Sequence, residues 1–427
     1  MFNYKKLFAA IAALFVTTVP SLAMAQDATN TGDTAWMLVS AALVLLMTPG
    51  LAFFYAGMVR SKNAVSTLLQ NMVALAVIGI LWIIVGYSLA FSGAGDYVGD
   101  TAAMMLAGAS APNALAPTIP GLVFVAFQMM FAIITPALMT GAFAERISFK
   151  GWLAVLVLWS LVVYSPVAHW VWGGGWLADR GAFDFAGGFV VHMTAGYSAL
   201  VAAILLGKRR DSGAAYDTGM IVLGTALLWF GWFGFNAGSA AAANGIAAQA
   251  FMTTFATAAV AMLAWMLVDH CKDGKPTCVG GCIGIVAGLV AITPCAGFVT
   301  VQSAMIIGLL AGVICNLVAR IVKKGFGVDD TLDVFACHGI GGTIGVISLG
   351  LFADASVNSV IPNGLFNGGA DLLKAQLTGV AAVAVYSMVA TFIIIKVVRF
   401  VVSVRVSDGD EAAGLDASQH GEKIHNH

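Results

Sequence analysis

Charge is scarce in this chain. Asp, Glu, Lys and Arg together make up 10% of its 427 residues, against about 25% in ordinary soluble domains. The net charge is only -1, so the basic surplus that binds nucleic acid is missing. Cysteine is rare as well: six residues are too few for a disulfide scaffold. Low charge also excludes disorder, which needs a polar, self-repelling composition. What the chain has instead is apolar side chains. They make up 60%, and 49 glycines come on top. Mean hydropathy is +0.93. No soluble core can hide this much apolar surface, which points to an all-α polytopic membrane protein.

Residues 1–25 read as a secretory signal peptide. Lys5 and Lys6 lead a short apolar run, and Ala23-Met24-Ala25 forms a small-residue cleavage site. The cysteines, Cys271, Cys278, Cys282, Cys295, Cys315 and Cys337, lack the paired spacing of a zinc site. They read as buried thiols acting as small hydrophobes. No metal or cofactor is expected.

Apolar runs with short polar breaks give eleven spans, near 34–59, 64–92, 118–142, 151–170, 186–207, 217–236, 246–269, 278–295, 299–321, 333–352 and 372–401. Most exceed the length a helix needs to cross the hydrocarbon. The expected organisation is a leader (1–25), a transmembrane domain (26–401) and a cytoplasmic tail (402–427). Basic residues set the direction. The breaks after odd-numbered spans carry Arg60 and Lys62; Arg146 and Lys150; Lys208, Arg209 and Arg210; Lys272 and Lys275; Arg320, Lys323 and Lys324. Those after even-numbered spans carry only Arg180 and Lys374. The positive-inside rule then places the N-terminus outside and the C-terminus in the cytoplasm.

Gly280, Gly284 and Gly288, and Gly308 with Gly312, repeat every four residues, a spacing that lets helix backbones approach in lipid. Helix packing and a narrow pore wall both fit that pattern. Spans 1–5 and 6–10 suit a pseudo-twofold inverted repeat, with a substrate path at the interface of the halves. His192 in the fifth span and His338 in the tenth support this pairing. An ionisable group inside a membrane is costly, which makes both histidines functional candidates. His169, at the end of the fourth span, reads as interfacial.

Phe127 and Phe131 are four apart on one helix face. Trp172 follows the fourth span, and Phe235 and Ser239 close the sixth. By the charge topology these clusters share the outer side. Asp184 opens the fifth span, where a carboxylate caps free N–H groups and would favour a nearby cation.

The sequence resembles the ammonium transporter family, the Amt/Mep/Rh group. The stretches that carry it are Pro49-Gly50-Leu51-Ala52-Phe53-Phe54-Tyr55, Gly141-Ala142-Phe143-Ala144-Glu145-Arg146, Asp184-Phe185-Ala186-Gly187-Gly188 with His192, Trp232-Phe233-Gly234-Phe235-Asn236-Ala237-Gly238-Ser239, and Asp329-Asp330 followed by Asp333 and His338. The resemblance implies a homotrimer of eleven-helix subunits in a bacterial inner membrane, each with its own pore. It implies that Phe127, Trp172 and Ser239 recruit ammonium outside, that Phe131 and Phe235 gate the pore, and that His192 and His338 line it. Asp184 would support the recruitment site, and Tyr55 would stand near the outer end of a water path for protons.

The tail from Ser407 is acidic. Gly414-Leu415-Asp416 and His420-Gly421-Glu422 resemble the tail of bacterial members, whose cytoplasmic face docks a PII signal protein; a solvated, unstructured end is the other reading. Three rival functions stand beside transport. A sensor that binds ammonium with little net flux needs the same recruitment site. A bis-histidine haem protein would use His192 and His338 as axial ligands. A membrane hydrolase finds no nucleophile motif here.

Overall fold

The computed structural model describes residues 29–211 and 213–425. The leader expected at 1–25 lies outside the described residues. Helices dominate, and among the described residues β-structure is limited to two isolated bridges. Among the described residues ten helices are long and apolar enough to cross a membrane: α1 (Thr31–Met58), α2 (Ser61–Phe91), α3 (Gly121–Phe143), α4 (Phe149–Asp179), α5 (Gly188–Leu206), α6 (Thr218–Gly238), α7 (Gly245–Asp273), α9 (Val301–Gly325), α10 (Phe335–Phe352) and α11 (Asp371–Val401). The eleventh expected span is α8 (Cys278–Ile292), at 15 residues the shortest. It rises only about 22 Å at 1.5 Å per residue, because the chain turns at Thr293 through Phe298.

The polar breaks start these helices. Asn30, Ser148, Asp217, Asn244, Thr277 and Thr300 each accept a backbone N–H from the first turn that follows. Such caps satisfy donors that an apolar run cannot.

Glycines set the helix spacing. A Cβ on Gly224 would strike the Phe54 backbone, and one on Gly231 or Gly234 would meet Leu43, so α6 lies directly along α1. Gly196 of α5 faces Gly339 of α10, backbone against backbone. The four-residue repeats have a packing role. Gly284, Gly288, Gly308 and Gly312 all abut Thr257, Ala261 or their neighbours on α7.

The two ends of the bundle differ. Trp172, Asp184 and Ser239 share a cavity at one end, here the tryptophan end. The arginine end carries a buried ionic cluster. Glu145, with a fully buried side chain, pairs with Arg60 at 3.1 Å and Arg209 at 2.9 Å, and Arg209 also holds Asp329 at 2.9 Å. Burial alone would raise the Glu145 carboxyl, but hydrogen bonds from Arg60 and the Arg209 charge hold it below the usual range.

The tail is folded onto this arginine end. Asp416 accepts the N–H groups of Val65 and Ser66 at 3.0 and 2.8 Å and so caps the start of α2. Buried Leu415 donates its N–H to Asn63. Glu411 accepts from Arg210 N and the Arg405 guanidinium. The reading of an unstructured end does not hold.

Candidate functional site

A cavity of about 530 Å³ opens at the tryptophan end, lined by Phe127, Phe131, Trp172, Asp184 and Ser239 among others. The helix ends place these groups. Phe127 and Phe131 lie one turn apart on α3, with ring centroids 4.9 Å apart. Trp172 is fixed edge-on to Phe131, and its indole N–H donates to Asp184 O at 2.9 Å. The Ser239 hydroxyl donates to Phe235 O at 2.8 Å. Its own oxygen lone pairs therefore remain able to accept from a ligand.

Asp184 shapes the turn into α5. Its Oδ1 accepts from Gly187 and Gly188, and its Oδ2 from Phe189 and Val190. Gly187 takes a φ of +129°, and a Cβ there would also hit Val191. Only glycine fits this cap comfortably. Both carboxylate oxygens are spent on the backbone, so any pull on a cation acts through the field of the charge.

Phe131 and Phe235 close the cavity floor, with centroids 4.2 Å apart and planes tilted by 33°. Beneath them is a void of about 10 Å³ walled by apolar side chains, His192 and His338. The two histidine Nδ1 atoms are 3.2 Å apart, and both residues are buried. Each sits in a π-helical turn, Gly188–Met193 at the start of α5 and Phe335–Ile340 at the start of α10. Trp232 lies nearly flat on His192, 5.5 Å between centroids.

Thr293 fixes the tautomers. Its hydroxyl donates to Leu289 O at 2.8 Å and accepts the Trp232 indole N–H at 3.0 Å. The second lone pair meets His192 Nε2 at 3.3 Å. With its proton already given away, Thr293 can only accept, so His192 Nε2 carries a hydrogen. His192 Nδ1 is then a lone-pair acceptor for the His338 Nδ1–H. His338 Nε2 is left as a bare nitrogen.

The structure gathers Phe127, Phe131, Trp172, Asp184 and Ser239 around the cavity, with Phe235, His192 and His338 directly beneath it. Tyr55 is the correction. It lies near the last turn of α1, about 36 Å of helix rise from Thr31, at the arginine end instead of beside Trp172. Its hydroxyl donates to Leu138 O at 3.0 Å, and its ring abuts Gly141. His169 is fully buried within the protein, with both ring nitrogens against carbonyl oxygens of Ala90 and Gly95. Cys271 and Cys278 are exposed, unlike the other four cysteines. Thr293 and Trp232 were missed, since a threonine or tryptophan in an apolar run carries no signal of its own. Among the described residues no group of three His, Cys, Asp or Glu side chains is disposed to hold a metal.

The family profile described as Ammonium Transporter Family matches residues 35–424. This chain belongs to the ammonium transporter family. An ammonium transporter of Bacillus subtilis is 48% identical over 397 residues, 92% of this chain and 98% of that one. The crystal structure of Saccharomyces cerevisiae Mep2 superposes with a TM-score of 0.84 at 37% identity, covering 90% of this chain and 91% of that one. A structure titled Sensor Amt Protein superposes at 0.85 with 29% identity, covering 91% and 98%. As a family member the chain is a multi-pass membrane protein and not an enzyme.

Proposed function

We propose that this chain transports ammonium: it captures the ion at the tryptophan end, removes its proton and passes ammonia along His192 and His338. The observation that carries the reading is the buried Nδ1 to Nδ1 contact of 3.2 Å beneath two closed phenylalanines.

The chemistry follows from cost. A bare ion in the hydrocarbon faces up to tens of kcal/mol by Born estimates. Aromatic faces return about 0.5–2 kcal/mol per contact. Phe127, Trp172 and the accepting oxygen of Ser239 therefore suit capture at the mouth and nothing deeper. Ammonia is neutral and escapes the Born cost. The histidine pair offers it both a lone pair and an N–H, and protonating one ring opposes protonating the other, so the two titrate as one unit. Tyr55, at the arginine end, places a phenol where a proton path would leave the pore.

The charge asymmetry orients the protein with the tryptophan end outside, the arginine end and tail cytoplasmic, in a bacterial inner membrane. The assembly is a homotrimer with one pore per subunit. The folded arginine end, tail included, offers the surface on which a PII signal protein docks.

An ammonium pulse applied to proteoliposomes tests this reading. The wild type should give a current, and a variant with both histidines replaced by Ala should lose it or its selectivity. The second reading, a sensor with little flux, draws on the likeness to the structure titled Sensor Amt Protein. It predicts ammonium binding near Trp172 without a sustained signal.

A further inference from the structure

The halves of the molecule repeat one more feature. Asp184 stands eight residues before His192, and Asp330 stands eight residues before His338. Each caps the helix that carries its histidine: Asp184 at α5, and Asp330, whose Oδ2 accepts the Phe335 N–H at 2.7 Å, at α10. The caps lie at opposite ends of the bundle, as an inverted repeat requires. They differ in one respect. Both Asp184 oxygens are saturated by backbone N–H groups, whereas Asp330 Oδ1 has no hydrogen-bond partner although the residue is only 1% exposed. A buried carboxylate oxygen without a partner carries a heavy desolvation penalty. Something that donates a hydrogen bond belongs there.

The surroundings say what. The stretch after Asp330 packs on the end of α3: Leu332 N donates to Gly141 O at 3.1 Å, and a Cβ on Gly141 would meet both Tyr55 and Val334. Tyr55 in turn bonds Leu138, which lines the small void beside the histidines. Asp330 thus sits one layer below the pore wall at the arginine end. The nearby Lys323 is already paired with Asp333 at 2.7 Å, and the two terminal nitrogens of Arg146 go to Thr331 and three carbonyls, while its buried Nε, in the field of Asp330, also lacks a partner.

We propose that Asp330 Oδ1 is an exit-side cation site, which binds a small monovalent cation, namely ammonium re-formed when ammonia leaving His338 regains a proton from the solvent of the arginine end. The site rests on the transport reading above and adds a second, inner binding step to it.

Asp330→Asn tests the idea without removing the cap, because asparagine serves well at that position. Two readouts are taken on purified wild type and variant whose melting temperatures agree; should Asp330→Asn melt early, Asp330→Ser, a neutral residue that also caps well, replaces it. In crystals soaked with thallium(I), an ammonium-sized probe, the wild type should show an anomalous peak about 3 Å from Oδ1, and the variant none. In proteoliposomes pulsed with ammonium from the tryptophan end, the variant should keep the wild-type apparent KM while its maximal current drops roughly tenfold, the size of one hydrogen bond to a charged group.

A pH profile separates charge from structure. Burial, then the Asp333 charge, pushes the Asp330 carboxyl up to about 6, against the opposing pull of Lys323. Arg146, Tyr55 and Cys337 also share its field. Wild-type current should therefore fall as the pH of the arginine end drops below about 6, and the variant should lack that step. Full current in the variant with no thallium peak at Asp330, while thallium still binds near Trp172, overturns the exit site and leaves the transport reading standing. No ammonium current in the wild type overturns both.

Discussion

Thr293 holds three partners on one hydroxyl, and the protonation pattern of the whole histidine pair hangs on it. Thr293→Val keeps the shape and removes the acceptor for Trp232 Nε1 and His192 Nε2. Leaving buried donors unpaired costs about 1–3 kcal/mol each, and His192 becomes free to flip its tautomer. The expected outcome is lower ammonium flux with unchanged capture, restored by Thr293→Ser; wild-type flux in Thr293→Val would remove Thr293 from the account. At the cavity, Trp172→Leu deletes one aromatic face. Apparent ammonium affinity should weaken about 2- to 30-fold, the equivalent of 0.5–2 kcal/mol, with the fold intact. An unchanged concentration dependence would reject the capture role of Trp172.

Elements bring the histidines together through the crossing of α5 and α10. Gly196 and Gly339 touch there, four residues after His192 and one after His338. Gly196→Val should push the helices apart, cost about 1–3 kcal/mol of stability, lower the melting temperature in detergent and reduce flux. Gly245→Ala, where nothing lies within 4 Å, is the matched control and should change neither. Much at this scale was legible in the sequence. Hydropathy gave the spans within a few residues, because lipid forces each backbone to satisfy itself within one helix. The paired histidines stood out because a titratable ring in an apolar run has few innocent explanations. The π turns that aim those rings did not, since they arise from tertiary packing. The end at which Tyr55 lies could have been read by counting along its helix. The spacing of eight shared by Asp184–His192 and Asp330–His338 was equally open to a direct comparison of the halves.

Across the whole molecule, charge is concentrated at one end, where Glu145 ties the ends of α1, α3 and α5 together. Breaking a buried ion pair by removing one partner costs about 3–5 kcal/mol, and Glu145→Gln should lose stability on that scale in a detergent melt. The sign with pH follows from its depressed carboxyl. The stabilisation is present above the ordinary glutamate value of about 4.3 and is lost as pH falls through the lower folded value. A variant as stable as wild type at neutral pH would show that the cluster contributes nothing net. The same charge asymmetry underlies the proposed orientation, which predicts that a reporter fused after His427 is active only as a cytoplasmic type; periplasmic activity would invert the topology. The central claim is selection by deprotonation. Potassium resembles ammonium in size and charge, so the aromatic mouth separates them poorly, but potassium has no proton to give up at His192 and His338. The decisive measurement is the flux of each ion, at matched concentration, into liposomes containing the wild type or the double His→Ala variant. The account predicts ammonium-driven transport without potassium flux in the wild type, and loss of transport or of selectivity in the variant. Robust potassium flux in the wild type, or fully selective ammonium flux without the histidines, would contradict it.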